Sequence, residues 1–384
     1  MNENRNTQWF ELQPVDAWFF RDGRPSNFGE DQSDLQSLFP PSHHTIVGAI
    51  RAALARQLGW KGYGDWSPEI KGKLGDGFDN LRPLSFVGPF LAYKRQPIFS
   101  LPRHVCGEVS HSVSGENDRE NKGRAFCFNP RNWLQPSTQP ILCDAGEVHL
   151  PITASTSELQ SDAKPLRLGD DFYVTRGGMN NILQGQLPGS DDCLHSTSLF
   201  SFEARVGIAR NPDTNTTDER AVYSPRYVRL ANEVSLQIGI DGLTVGLSLP
   251  SLFPLGGESR LAACEPIESP SLALSTENGQ LIVLASPARF PAERWYGAGP
   301  SHAASQLNTV LKGGVKTTTI DRPLRIGGFD SRNRMPLPLI PFAPPGTVWW
   351  MEQTIQSNLG PLFLGSHTDY GYGLAFIGKG PSSV

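Results

Sequence analysis

Hydrophobic spacing changes period once in the first sixty residues, and the change predicts the first two elements. Bulky apolar side chains over 9–20, ending in Trp18-Phe19-Phe20, read as a strand that empties into the basic turn Arg21-Asp22-Gly23-Arg24-Pro25. After a polar loop and Leu38-Phe39-Pro40-Pro41-Ser42, the residues Ile46, Ile50, Leu54 and Leu58 recur every four positions with Val47 beside them, the spacing of a helix. Ser42 is placed to cap that helix and Gly59 to stop it. His44, Gly48, Arg51 and Ala55 share another face, so Arg51 is expected at the edge of the polar side. A second apolar stretch over 84–91 completes strand, helix, strand.

Three polar, aperiodic stretches follow at 107–123, 154–171 and 177–192, and predict loops or hairpin tips. Strict alternation then sets Phe200, Phe202, Ala204, Val206 and Ile208 against Ser201, Glu203, Arg205, Gly207 and Ala209, one strand with two unlike faces. A polar loop over 211–219 leads to a strand over 221–230 carrying Tyr223, Arg226, Tyr227 and Arg229. Asp241-Gly242 and Asn278-Gly279 are two-residue turn signals. A helix is expected over 303–312, and the last strands over 347–352 and 374–377. The pattern is α+β, dominated by antiparallel strands. It divides as an N-terminal half (1–100), a loop-rich insertion (101–199) and a C-terminal half with Gly-rich loops (200–384).

Composition narrows the function classes. With 384 residues, 38% of them hydrophobic, the chain can bury cores without staples, while 39 Gly and 32 Pro make it loop-rich. A formal net charge of −4 argues against a nucleic-acid binder held by bulk charge, so any such site must be local. Five cysteines, odd in number and widely spaced, suggest neither a disulfide framework nor a zinc ribbon; reduced structural thiols are expected, and His104, Cys106, Cys127 and Cys143 lack ligand spacing. No run of about 18 apolar residues and no apolar leader is present, so no membrane partner and a cytoplasmic location are expected.

The candidate chemistry concentrates where the first strand ends and the first helix begins. Arg21 and Arg24 sit in the turn, and His43, His44 and Thr45 open the helix, where backbone N–H groups point outward and favour anions. The bland alternative stays open: capping histidines and a solvated Arg51. Gly256-Gly257, Gly327-Gly328 and Gly371-Tyr372-Gly373 could bring backbone close to a partner, or could be turns and bulges. The segment 312–334 holds six cations against two carboxylates and the run Thr317-Thr318-Thr319, which suits a groove tracking a sugar-phosphate backbone or a solvated loop equally. No G-x-S-x-G elbow, HExxH or carboxylate cluster supports catalysis, and His43 and His44 remain the best general acid/base candidates.

In order along the chain, Phe19-Phe20-Arg21-Asp22-Gly23-Arg24-Pro25, Phe39-Pro40-Pro41-Ser42 with 45–51, Glu203-Ala204-Arg205-Val206-Gly207-Ile208, Leu255-Gly256-Gly257-Glu258, Ile326-Gly327-Gly328-Phe329, Pro345-Gly346-Thr347-Val348 and Gly371-Tyr372-Gly373 resemble the third-subunit family of the Cmr module. These are RAMP-superfamily proteins of type III-B CRISPR effector complexes. The resemblance implies two ferredoxin-like (RRM-like) halves with long loop and hairpin insertions. It implies a non-catalytic, cofactor-free subunit bound to the large palm-domain subunit and a backbone subunit, holding the 5′ repeat-derived handle of the crRNA and meeting target RNA only through the complex. On its matching positions Arg21, Arg24, His43, His44, Thr45 and Arg51 become expected handle contacts, with Arg205, Gly371 and Gly373 second. Exchange of Arg21 and Arg51 together is expected to weaken RNA retention without unfolding. Two other readings stand beside it: a metal-independent RAMP endoribonuclease using His43 or His44 as general base, and a pure protein scaffold.

Overall fold

A computed structural model of the chain describes residues 7–21, 37–113, 124–143, 146–153, 166–210, 217–290, 314–330, 335–356 and 360–381. They belong to two units, one of Met1–Leu91, Phe200–Ser269 and Arg325–Pro341, the other of Ala92–Leu199, Pro270–Leu324 and Phe342–Val384. The units interleave along the chain, which corrects the contiguous division at 100 and 199. The reason is strand pairing: Gln8–Pro14 cannot complete a sheet within the first hundred residues, and takes both its neighbours from beyond 230.

In the first unit Gln8–Pro14 pairs antiparallel with Val234–Asp241 on one side, Phe10 opposite Ile238, and with Leu261–Ile267 on the other, Leu12 opposite Cys264. Ser85–Tyr93 lies beyond Val234–Asp241, and Leu252–Pro254 forms the opposite edge. Counted along the chain, the four main strands stand in the order 4-1-3-2, the order of a ferredoxin-like sheet. The first crossover carries helices α1 (His43–Gln57) and α2 (Pro68–Leu74). The second runs over 242–251 without a helix. Ser42 caps α1 as its sequence predicts, its Oγ accepting from Thr45 N at 3.3 Å, and Ile46, Ile50 and Leu54 are buried. Gly59, at φ +93°, follows the helix end.

The second unit repeats the arrangement. Val315–Thr319, Val348–Gln356, Asn278–Leu284, Leu374–Gly378 and Leu362–Phe363 lie side by side, so its four main strands again stand 2-3-1-4, the same order read from the other edge. Ile282, Leu284, Val315, Trp349, Met351 and Ala375 form its core. Asn278-Gly279 is therefore not a hairpin turn. Gly279 lies inside the strand opposite Ile355, where a Cβ would stand 2.0 Å from Gly378 O.

The region 101–199 is more ordered than its polarity predicts. Val105–Val113 and Arg124–Pro136 make a long hairpin whose edges are extended by Arg167–Leu168 and Pro151–Thr153. Where 177–192 reads as a loop, α3 (Arg176–Leu183) forms instead. Its Gly and Asn content hides it from propensity, but Thr175 caps Gly178 N through Oγ1 at 3.1 Å and Met179, Ile182 and Leu183 are buried. Leu183 O accepts from Lys379 N at 2.7 Å, which fastens α3 beside the last strand. The single strand expected over 200–209 is broken: Phe200–Ala204 pairs with Arg226–Leu230, while Gly207–Arg210 pairs with Thr217–Tyr223, part of the predicted 211–219 loop. Phe202 and Val206 stay exposed. The expected helix over 303–312 lies outside the described residues. Among those residues no helix is long and apolar enough to cross a membrane.

One buried group makes the second unit pH-sensitive. His104 is fully buried against Trp133, ring centroids 5.0 Å apart, and edge-on to Trp350; neither ring nitrogen has a hydrogen-bond partner among the described residues. Burial disfavours its cation and pulls its pKa from 6.5 down to about 3. The unfolded chain therefore binds a proton below about pH 6.5 that the folded chain refuses, and stability present above that pH is lost progressively toward pH 3. Moving from pH 7 to pH 5 should cost about 2 kcal/mol through this residue alone. Urea unfolding of wild type and His104→Phe at both pH values checks it: the drop should shrink by that amount in the variant, and equal drops would refute the assignment.

Candidate nucleic-acid interface

The paired part of the first strand stops at Pro14, short of the expected Phe20, and its end over 18–21 is held only by isolated bridges and single hydrogen bonds. Trp18 bridges Val228, with N–H···O bonds of 2.9 and 2.7 Å in both directions, and Gly257 N donates to Phe19 O at 2.8 Å. Gly256 needs its glycine there, because at φ +86° a Cβ would lie 2.6 Å from Phe19 O. Phe20 N donates to Ser37 Oγ at 3.0 Å, and Arg21 bridges Ser37 and is exposed. Phe39, stacked 6.3 Å from Phe20 and edge-on to Phe200 at 4.7 Å, carries the chain through Pro40 and Pro41 to the cap of α1. The strand end, Arg21 and the start of α1 thus belong to one packed assembly.

A charged cluster stands against the same strand end. Pairing of Phe200–Ala204 with Arg226–Leu230 sets Glu203 opposite Tyr227, which places Glu203, Tyr227 and Arg229 together, and Arg205 follows two residues on. Asp16 accepts from Arg205 Nη1 at 2.7 Å and Arg229 Nη2 at 3.0 Å, and Glu203 accepts from Arg205 Nε at 2.8 Å and Arg229 Nη2 at 2.8 Å. Arg260 joins with Nη1 3.5 Å from Asp16. The guanidinium carbons of Arg260 and Arg205 lie 4.3 and 5.0 Å from the Tyr227 ring centre, and Phe19 packs on the same ring at 5.6 Å.

Three cations against two carboxylates leave a local excess of one positive charge in a chain that is net negative. Arg260 Nε is buried and has no acceptor among the described residues. The Arg205 guanidinium, followed for Glu203 by that of Arg229, holds the Asp16 and Glu203 carboxyls below the usual carboxylate range. The lowered values mean the cluster is intact through the neutral range and is lost only as pH falls through them, below the ordinary carboxylate range.

The residues nominated from sequence separate into groups. Arg21 and Thr45 lie at the strand end and helix start; Thr45 Oγ1 is 2.9 Å from Ser42 Oγ. His44 is half-buried, its ring 4.6 Å from Phe78, and His43 is buried beneath the helix start. Arg24 lies outside the described residues. Arg205 is in the charged cluster. Arg51 is not at a polar edge: it is 7% exposed, and its Nε, Nη1 and Nη2 donate to Leu74 O, Gly77 O and Gly75 O at 2.9, 2.8 and 3.0 Å, with Trp66 against the guanidinium at 5.0 Å. It ties the end of α2 to α1. The joint Arg21 and Arg51 exchange therefore does not test RNA contact without disturbing the fold.

Gly371 and Gly373 belong to the second unit and are buried in a turn. Gly371 O accepts from Ser286 Oγ at 2.9 Å, and both glycines have positive φ. Of the segment 312–334 the described residues are 314–330, which fall in both units, and Thr317 and Thr319 are buried in the sheet of the second. Asp16, Glu203, Tyr227, Arg229 and Arg260 were not nominated. Their signal exists in the sequence, as Glu203/Arg205 and Tyr227/Arg229 at strand spacing, but only the register joins the two pairs.

Among the described residues, metal and thiol chemistry find no constellation. Cys127 pairs opposite Ser110, four positions along the ladder from Cys106, so the two are about 13 Å apart at the rise of a β-strand. Burial pushes the Cys193 and Cys264 thiols up to about 12, which keeps them protonated. Among the described residues no three His, Cys, Asp or Glu side chains gather as a metal site.

Comparison with known proteins supplies the family. The chain is similar to a chain in the cryo-EM structure of the Type III-B Cmr-beta bound to cognate target RNA and AMPPnP, state 1, at 16% identity over 89% of this chain and 86% of that one, TM-score 0.49. A second cryo-EM structure, of the Type III-B Cmr-beta bound to cognate target RNA, gives 16% identity over the same shares with TM-score 0.45. The crystal structure of a Csm3-Csm4 subcomplex in the type III-A CRISPR-Cas interference complex gives 10% over 91% and 94%, TM-score 0.38. No curated protein sequence matches. The model of the CRISPR-associated protein family Cas_Cmr3 matches residues 10–380, both ferredoxin-like units and the insertion included. By that match the chain belongs to the CRISPR-associated Cas_Cmr3 family, the Cmr-module family its motifs resemble.

Proposed function

We propose that this chain is a non-catalytic RNA-binding subunit of a cytoplasmic type III-B Cmr effector complex, in which its first unit holds the 5′ handle of the crRNA and its surfaces join the large palm-domain subunit to the backbone subunit. Family membership supports the assembly. The observation that carries the RNA contact is the arginine cluster on Tyr227: three guanidiniums, one charge in excess, and a buried Arg260 N–H without an acceptor among the described residues, packed beside the strand end that carries Arg21. Arginine forks suit phosphate oxygens, and the α1 start adds Thr45, His44 and outward N–H groups. His43, buried under the helix start, is poorly placed to reach a 2′-OH, which supports a holding role over cleavage.

A subunit with net negative charge and a patch this small should bind handle RNA weakly alone, and strongly only when partners complete the groove. Binding of a handle oligonucleotide to the isolated chain and to the assembled complex, at one salt concentration, should differ by orders of magnitude; equal affinities would remove the composite site. In the complex, Arg21→Ala plus Arg205→Ala should lower affinity and reduce the slope of log K against log salt by about one per lost phosphate contact. An unchanged slope would move the handle elsewhere. Cleavage of the oligonucleotide in EDTA, abolished by His44→Ala, would contradict the non-catalytic role.

A further inference from the structure

The second unit contains a cleft that the handle reading does not use. It lies where two β-bulges flank one stretch of the Val348–Gln356 strand. On one side the register with Asn278–Leu284 passes from Gly279 opposite Ile355 to Leu281 opposite Trp350, so that Met351 to Thr354 bulge out against the single Gln280; on the other the register with Val315–Thr319 shifts between Val315 and Thr317, leaving out Lys316. Bulges re-aim side chains, and Gln280 and Lys316 come to line one cleft with Met351 and Glu352. Gln280, Lys316, Trp350 and Glu352, with Gln135 and Pro136 from the long hairpin, line a cleft of about 260 Å³. That falls just below the range of about 300–1,000 Å³ typical of drug-sized ligands, and fits a single planar group better than a chain segment.

Trp350 forms one wall and is held from behind. It is 7% exposed, edge-on to the neutral His104 ring at 6.2 Å, and so close to Gly380 that a Cβ there would lie 2.8 Å from the indole. Its Nε1 is buried with no acceptor among the described residues. A donor in that condition marks a polar site that is incomplete as it stands. The rest of the lining is two amides, one ammonium and one carboxylate, with the apolar Pro136 and Met351. The charges cancel, so the cleft does not select a phosphate as the first-unit cluster would. It offers paired donors and acceptors beside an aromatic wall, which is what the edge and face of a nucleobase require.

We propose that this cleft takes one unpaired nucleobase of an RNA strand, its edge read by Gln280, Lys316 and Glu352 and its ring set against Trp350. The inference shares with the handle reading only the premise that RNA reaches this protein, and the test separates them. Purified full-length chain is irradiated in the ultraviolet with random-sequence RNA octamers, and crosslinked peptides are mapped by mass spectrometry. Crosslinks should appear in the peptide carrying Trp350, and should fall about tenfold in Gln280→Leu plus Lys316→Leu, the loss expected for one good base contact. Both side chains stand at the cleft surface, and an unchanged melting temperature verifies that the variant is folded. Absence of a Trp350 crosslink, whether or not peptides with Arg205 and Arg229 are labelled, overturns the proposal; so does a yield the variant leaves unchanged, which would mean that Gln280 and Lys316 do not read the base. Labelling of Trp350 without any label in the first unit would keep the cleft and leave the handle reading standing, since that site is expected to fill only in the assembled complex.

Discussion

Arg51→Ala is expected to unfold the first unit, and any RNA lost with it is lost for that reason. The side chain donates to three backbone carbonyls at 74, 75 and 77 and lies against Trp66 in a site almost closed to water. Truncation leaves those acceptors unpaired and opens a cavity beside Leu74. Breaking a buried charged network in this way costs about 3–5 kcal/mol, a large share of the stability of an ordinary domain. Arg51→Lys keeps the charge but cannot reach three carbonyls with one ammonium, so it should fall between wild type and alanine. Denaturant unfolding followed by the fluorescence of the tryptophans decides it. A variant with wild-type midpoint and reduced RNA binding would restore Arg51 to the handle.

Gly373→Ala is expected to damage the second unit at least as severely. At φ +78° an added Cβ would stand 1.9 Å from Leu364 O, the backbone of the neighbouring strand end, and the turn has no slack: Gly373 N donates to Pro287 O at 2.8 Å and Leu364 N donates to Gly373 O at 2.8 Å. Left-handed strain alone costs about 1–2 kcal/mol, and a backbone clash puts the total above roughly 4 kcal/mol, where few substitutions fall. Gly246→Ala separates the two contributions, because Gly246 has φ +83° with nothing within 4 Å of its would-be Cβ. It should show the strain alone. Similar losses at both positions would mean that the turn can move, and that Gly373 is not held by its contacts.

What the sequence discloses depends on how local the physics is. The α1 stripe, its Ser42 cap, and the strands Ser85–Tyr93, Val348–Gln356 and Leu374–Gly378 are read from spacing within ten or fifteen residues. Pairing is not local: Phe10 meets Ile238 across more than two hundred residues, and no periodicity announces it, which is why the contiguous division into halves fails. α3 is missed because its capping and burial, not its composition, make it a helix. Arg51 is misplaced because amphipathic spacing identifies one buried face, while α2 covers a second one. Arg205 is found through its motif, yet Arg229, Arg260 and Asp16 join it only when register and tertiary contacts are known.

These findings give the nominated residues different parts to play. Arg51, Gly371 and Gly373 build the scaffold; Arg21 is exposed, Thr45 is half-buried at the start of α1, and Arg205 belongs to the charged cluster. The electrostatics are local and modest, as the proposed composite site requires.

The central claim is tested most directly by recovering the tagged protein from its own host at moderate salt and sequencing the RNA that comes with it. The account predicts short RNAs sharing one repeat-derived 5′ end, together with larger protein subunits. Recovery of the protein alone and free of RNA would contradict it.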